Sequence, residues 1–82
     1  MNRLLLKLTF MPLNREIEVL FDTSISLKGN LTMLKNIVDF KFNDEYIVVD
    51  AYEKEVINTD LELVKLGLVV CTHLYIYCFD SC

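Results

Sequence analysis

Apolar side chains occupy every second position in two segments near the start of the chain, at residues 4–10 and 16–22. Residues 12–15, which read Pro-Leu-Asn-Arg, interrupt this alternation. A period of two is typical of β-strands that bury one face, and so short an interruption predicts an antiparallel hairpin. The positions expected to face a core are Leu4, Leu6, Leu8, Phe10, Ile17, Val19 and Phe21.

After residue 24 the apolar period changes to that of a helix. Spacings of four, three and four residues place one set on a single helical face: Leu27, Leu31, Leu34 and Val38. Ser26 or Asn30 is the predicted N-cap, although Gly29 opposes an early start because glycine in a helix costs about 1 kcal/mol relative to alanine. The residues expected to remain exposed are Lys28, Asn30, Lys35, Asn36 and Asp39.

Turns and short apolar runs follow the helix. Residues 43–45 predict a turn, residues 46–49 a short strand, residues 50–54 a second turn and residues 55–57 a poor strand. Beyond them we expect one helical turn containing Leu61 and Val64.

Thr59 and Asp60 are the candidate caps of that helical turn, and Gly67 is expected to end it. The last run, residues 73–79, alternates again and therefore predicts a closing strand with two faces. One face carries Leu74, Ile76 and Cys78, and the other carries Tyr75, Tyr77 and Phe79.

The composition limits the classes of function. The chain has 82 residues, 54% of them hydrophobic, and 8 basic against 12 acidic residues give a net charge of −4. We expect a single domain, residues 1–82, without room for a second core or a deep enclosed pocket. The acidic balance argues against nucleic acid and anionic membrane surfaces as partners.

No targeting or membrane-spanning segment is predicted. Lys7 interrupts the apolar start of the chain, no small-residue cleavage site follows, and no run nears the ~20 apolar residues that span a bilayer. The chain has three cysteines, Cys71, Cys78 and Cys82. A secreted disulfide scaffold needs more cysteines than this, and usually an even number of them. We therefore interpret the chain as a cytoplasmic protein.

The hairpin, the helix and above all the tail around Gly67 carry a family resemblance. The residues concerned are Leu4, Leu6, Ile17, Val19, Leu31, Leu34, Leu63, Leu66, Gly67, Leu68, Leu74 and Ile76. Their order resembles that of the ubiquitin-like β-grasp family over nearly the whole chain. The resemblance implies an α+β fold, a four- to five-stranded mixed sheet with its first and last strands parallel at the centre and one helix packed across one face. The right-handed preference of such crossovers agrees with it.

Within this superfamily, the length and residues 60–68 are most similar to the YukD-type proteins associated with bacterial type VII secretion. That similarity implies an accessory or regulatory role in such a system. One departure concerns the turn before the closing strand, where the relatives usually have Gly-Asp and this chain has Cys71 and Thr72. We therefore predict a positive φ at Cys71, which strains a non-glycine residue by about 1–3 kcal/mol.

Ubiquitin and the sulfur carriers of this fold act through a free Gly-Gly after the closing strand, because an unhindered glycine carboxylate can enter a narrow activating site. These 82 residues contain no glycine after Gly67 and no Gly-Gly pair. We therefore expect a protein that is not conjugated and does not carry sulfur.

The cysteines and the single histidine are the candidates for chemistry. Cys78 and Cys82 lack the two close pairs typical of a zinc site, so neither a metal nor a cofactor is predicted. Cys71 and His73 could form a thiolate–imidazole pair on a strand, but no orienting group or oxyanion donors are evident. We expect no catalytic residues; the alternative is a small thiol- or redox-active protein that uses Cys71 with Cys78 or Cys82.

The stronger signal is apolar surface outside the core. If the inward residues of the first strand face the helix, four apolar residues point to the opposite face, which a one-layer sheet leaves open: Leu5, Leu20, Tyr75 and Tyr77. Tyrosine is a favoured interface anchor, and ubiquitin-like domains usually meet partners on this face. We predict that these four residues bind a protein partner or mediate self-association. A purely structural subunit of a homo-oligomer is a further alternative.

Overall fold

A computed structural model describes residues 3–11 and 13–79 as one mixed sheet with a helix against it. The elements are β1 (Arg3–Met11), β2 (Arg15–Asp22), α1 (Leu27–Leu34), β3 (Tyr46–Asp50), β4 (Val56–Ile57), α2 (Leu63–Leu66) and β5 (Thr72–Cys78). The strand order is β2-β1-β5-β3-β4; β1 and β5 are parallel, and the other neighbours are antiparallel. The predicted α+β β-grasp fold is confirmed, with five strands.

The predicted hairpin is formed by β1 and β2. Their register runs from Phe10 opposite Arg15 to Arg3 opposite Asp22. The turn places Asn14 at φ 57°, in the left-handed region that asparagine tolerates better than most residues. Local turn chemistry and the alternating pattern therefore agree on this register.

The core lies between the sheet and α1. Because β1 and β5 are paired side by side, their inward residues form its centre, and the apolar face of α1 closes it. The buried hydrophobic residues are Leu6, Leu8, Phe10, Phe21, Leu27, Leu31, Leu34, Val48, Leu63, Leu74 and Ile76. Each fully buried leucine or isoleucine contributes roughly 1.5–3 kcal/mol relative to exposure, so this layer accounts for the arrangement of the sheet and helix.

α1 begins at the earlier of its two predicted caps and ends before Val38, the last residue of its apolar spacing. Ser26 is the N-cap, and its Oγ accepts a hydrogen bond of 2.9 Å from the N–H of Gly29. A Cβ on Gly29 would lie 3.3 Å from that Oγ, so the residue that weakens the helix also leaves room for its cap. The helix ends at Leu34, and Val38 packs against the core from the turn that follows.

Asn30 is buried, with 3% of its surface exposed, and the prediction that it stays exposed is wrong. Its Nδ2 donates hydrogen bonds to the backbone oxygens of Asp22 and Ser26, at 2.9 and 3.0 Å. Its Oδ1 accepts one from the N–H of Asp22 at 2.9 Å. The side chain is buried because the end of β2 supplies partners for its amide.

α2 does not use the predicted caps Thr59 and Asp60, and Leu61 precedes the helix. The first two N–H groups of α2 donate instead to the backbone oxygens of Ile25 and Thr23, both at 3.1 Å. Free donors at a helix start need partners, and here the segment between β2 and α1 provides them. Neither helix is long enough to cross a membrane, and no other helix occurs in residues 3–11 and 13–79.

We predict that Asn30→Ala lowers the free energy of unfolding by about 2 kcal/mol, because it removes the three hydrogen bonds of a buried amide to the backbone of Asp22 and Ser26. Urea unfolding followed by circular dichroism measures the change. Thr32→Ala is the matched control, since the Thr32 hydroxyl bonds only to Lys28 on the exposed side of α1. A loss no larger for Asn30→Ala than for Thr32→Ala would contradict the assigned role.

Candidate partner-binding surface

The four predicted partner-binding residues lie on the face of the sheet opposite α1, where the structure places them in two separate pairs. Leu5 and Leu20 are partners across β1 and β2. Tyr75 and Tyr77 lie along β5, with ring centroids 6.0 Å apart. The residue of β1 opposite Tyr75 is Thr9, four positions from Leu5, so roughly 13 Å separates the pairs along the strands.

A polar row separates the two pairs. Lys7 lies between Glu18 on β2 and His73 on β5. Its Nζ also forms an ion pair of 2.7 Å with Glu16. The hydrogen bond within this ion pair is the main reason why the pKa of Lys7 is raised and the pKa of Glu16 is lowered. Both side chains therefore remain ionised at neutral pH. The uncovered face is therefore not one continuous apolar stripe.

The tyrosines belong to a larger apolar cluster than the sequence predicts. Tyr75 lies opposite Val49, and Tyr77 opposite Ile47, in the pairing of β5 with β3. We call the cluster the tyrosine patch; it contains Met11, Ile47, Val49, Val56, Tyr75 and Tyr77.

Two members of the tyrosine patch that the sequence analysis missed, Ile47 and Val49, lie on β3. Val48 is fully buried, so its neighbours Ile47 and Val49 must point to the open face. However, residues 46–49 are all apolar, and an unbroken apolar run does not show which positions face inward. The structure shows which residues of β3 face the core, because it pairs Val48 with the buried Ile76 of β5.

Thr9 and His73 support the tyrosine patch from one side. A hydrogen bond of 2.7 Å joins Thr9 Oγ1 and His73 Nε2, and the His73 ring meets Tyr75 edge-on with centroids 4.8 Å apart. Thr9 is only 6% exposed although it lies on the open face. The contact holds His73 against Tyr75 and limits the rotamers of both.

Cys71 and Cys78 lie too far apart to form a disulfide. Cys71 and Cys78 lie just before and at the end of β5, roughly 20 Å apart along an extended strand, whereas a disulfide needs Cα atoms within about 7 Å. Burial raises the pKa of the Cys78 thiol, which disfavours its thiolate. Cys82, the other predicted partner, lies outside the described residues.

The Nε2 atom of His73 is bonded to Thr9 rather than to Cys71. Within residues 3–11 and 13–79, no group of three or more histidine, cysteine, aspartate or glutamate side chains is placed to hold a metal ion.

The loop between α2 and β5 confirms the predicted positive φ at Cys71. Gly67 ends α2 at φ 70°, as predicted, and Cys71 has φ 67°. Glycine adopts this region without cost, whereas a Cβ is strained there. The N–H of Cys71 donates to the backbone oxygen of Leu5 at 2.7 Å, which helps to hold the turn at the start of β5.

No protein-family model matches the chain, and no curated protein matches its sequence. Its fold is similar to solved structures. The UBL domain of Plasmodium falciparum Dsk2 superposes with a TM-score of 0.72 at 9% identity, over 95% of this chain and 100% of that chain. A chain of the toluene 4-monooxygenase HD complex with the inhibitor 4-bromobenzoate gives 0.70 at 11% identity, with the same coverage. At such identities the similarity is one of fold, and that fold is ubiquitin-like.

We predict that Cys71→Gly raises the free energy of unfolding by about 1 kcal/mol, because glycine removes the strain of the positive φ. Cys71→Ala is the control, since it removes the thiol but keeps a Cβ. Urea unfolding of both variants measures the difference. If the two variants are equally stable, the strain at Cys71 is negligible.

Proposed function

We propose that the protein is a non-conjugating ubiquitin-like interaction module that binds a protein partner through the tyrosine patch. The observation that carries this proposal is the patch itself, six apolar side chains that adjoin one another on the sheet face opposite α1. The similarity to a UBL domain supports the ubiquitin-like part of the proposal.

The exposure of the patch suits an interface. Val56 is 66% exposed, Tyr77 37% and Ile47 36%, so a partner has apolar area to cover. Tyrosine brings a large contact area at low cost in rotamer entropy, and its hydroxyl can hydrogen-bond at the edge of a contact. Contact between Tyr75 and His73 orders one ring before binding, which lowers that cost further.

Leu5 and Leu20 are proposed as a second contact on the same face. Leu20 is 60% exposed and lies beyond the polar row. A partner that reaches both pairs must cross Lys7 and Glu18, and charged groups there would set its orientation rather than its affinity.

The proposal includes no conjugation and no catalysis. No Gly-Gly pair occurs in the 82 residues. The Nε2 atom of His73 is hydrogen-bonded to Thr9 rather than to Cys71. The alternative of a thiol or redox protein draws no support from the separation of Cys71 and Cys78 along β5.

A finer proposal places the protein as an accessory of a bacterial type VII-like secretion system, acting in the cytoplasm. Its support is the similarity of residues 60–68 to the YukD-type tail. Deleting the gene and comparing the proteins secreted through that pathway tests this role, and unchanged secretion would contradict it while leaving the interaction module intact.

A second candidate is a constituent subunit of a larger assembly. It is favoured by the fold similarity to a chain of the toluene 4-monooxygenase HD complex, and self-association through the tyrosine patch is its homo-oligomeric form. Light scattering over a range of concentrations separates a permanent oligomer from a monomer that binds its partner reversibly.

We predict that Tyr75→Ser with Tyr77→Ser weakens the partner complex, or the self-associated form, by more than about tenfold, because it removes the two anchors of the patch. Quantitative capture on the immobilised chain, together with light scattering, measures the loss. Val56→Lys tests the same surface from the exposed strand β4, where a charge is tolerated without a partner.

Tyr52→Ser is the matched control for these variants. Tyr52 is 91% exposed and lies in the turn between β3 and β4, outside the patch. Unchanged capture and oligomeric state in the Tyr75/Tyr77 variant would contradict the proposed surface, provided that circular dichroism shows a folded chain.

A further inference from the structure

β2 is an outermost strand of the sheet, and it differs from the strand at the opposite edge. β2 has eight residues, whereas β4 has two. A short edge strand offers little to an incoming chain, but a long one presents a row of backbone donors and acceptors. The edge formed by β2 is therefore the part of the sheet most suited to pairing with another strand.

Asn30 shows which backbone groups of β2 point outward. Both the N–H and the C=O of Asp22 bond to the Asn30 amide, so this residue faces away from β1. In a strand the N–H and C=O of one residue point to the same side, and successive residues alternate. Glu16, Glu18 and Leu20 therefore also direct their backbone groups to the outer edge, where no strand of the described chain pairs with them.

The edge borders an apolar groove between β2 and α1. The groove is lined by Val19 and Leu34 and by the exposed side chains of Met33 and Ile37. Met33 is 50% exposed and Ile37 is 77% exposed. A strand added beside β2 would point every second side chain into this groove. Apolar residues at those positions would cover Met33 and Ile37.

The other side chains of an added strand would meet negative charge. Glu16, Glu18 and Asp22 lie on the open-face side of β2, with Leu20 between the last two. Glu16 is paired with Lys7, but no ion pair reaches the Glu18 carboxylate within residues 3–11 and 13–79. Lysine or arginine at these positions of the added strand would therefore find an acceptor.

A second copy of the chain fits this edge poorly. Antiparallel pairing of β2 with itself would set Glu18 opposite Glu18 of the second copy if centred on Glu18, or Glu16 opposite Asp22 of the second copy if centred on Val19, and like charges directly opposite are destabilising. The net charge of −4 adds to the repulsion. Charge complementarity thus favours a different, basic partner.

We propose that the outer edge of β2 binds an extended peptide segment of another protein, in which apolar residues alternate with lysine or arginine, as an added β-strand. Backbone hydrogen bonds to Glu16, Glu18 and Leu20 provide the pairing, as in other cases of strand addition. This site is distinct from the tyrosine patch, and neither depends on the other.

The test uses a fluorescent synthetic peptide in which valine alternates with lysine, titrated into the full chain by anisotropy and by amide chemical shifts. We expect saturable binding, with shifts centred on Glu16, Glu18 and Leu20. Glu18→Lys should weaken binding roughly tenfold. Glu53→Lys makes the same change of charge in the exposed turn between β3 and β4 and should leave binding within about twofold.

Two further peptides separate strand addition from charge attraction. A peptide that is N-methylated on the residues facing the edge keeps its charge but cannot donate to β2, and it should not bind. A peptide with glutamate in place of lysine should not bind either. The proposal is overturned if the parent peptide fails to bind, if N-methylation has no effect, or if the shifts lie on the tyrosine patch instead of β2.

Discussion

The parallel pairing of β1 with β5 is the interaction on which the rest of the structure depends. It joins strands from opposite ends of the chain, with Leu6 opposite Thr72 and Met11 opposite Tyr77. Closing so long a loop costs chain entropy, which the burial of the inward residues of both strands must offset. Because these strands are central, their pairing brings the hairpin, the helix and the short strands β3 and β4 onto one core. It also fixes which outward residues become neighbours on the open face.

The two faces of the sheet are coupled by the alternation of its strands. α1 covers one face of the sheet. The other face is uncovered and carries tyrosines, aliphatic residues and a polar row. The contact from Thr9 to His73, and from His73 to Tyr75, links β1 to β5 on the open face, much as Leu8 and Leu74 do in the core. A domain with a single helix layer thus keeps an ordered apolar surface because the same register that forms the core also arranges the tyrosine patch.

Polar contacts define the borders of the fold and of its surfaces. Asn30 bonds to both outward groups of Asp22 and so closes one end of the β2 edge. The backbone oxygens of Thr23 and Ile25 receive the first donors of α2, so the segment after β2 is fixed to the start of a distant helix. Two different kinds of surface result. The tyrosine patch offers side chains to a partner, whereas the edge of β2 offers backbone groups.

The sequence by itself determined the local elements: the hairpin from its period of two, the face of α1 from its spacing, the closing strand and the end of α2 at Gly67. Each depends on residues close in sequence. It also assigned Leu5, Leu20, Tyr75 and Tyr77 to the open face, since phase within a strand is local. Only the tertiary structure decided that Asn30 is buried, that Thr59 and Asp60 do not cap α2, and that the four open-face residues form two pairs. Those outcomes depend on strand register and on backbone partners far away in sequence, and side-chain pattern alone does not encode which distant groups will meet.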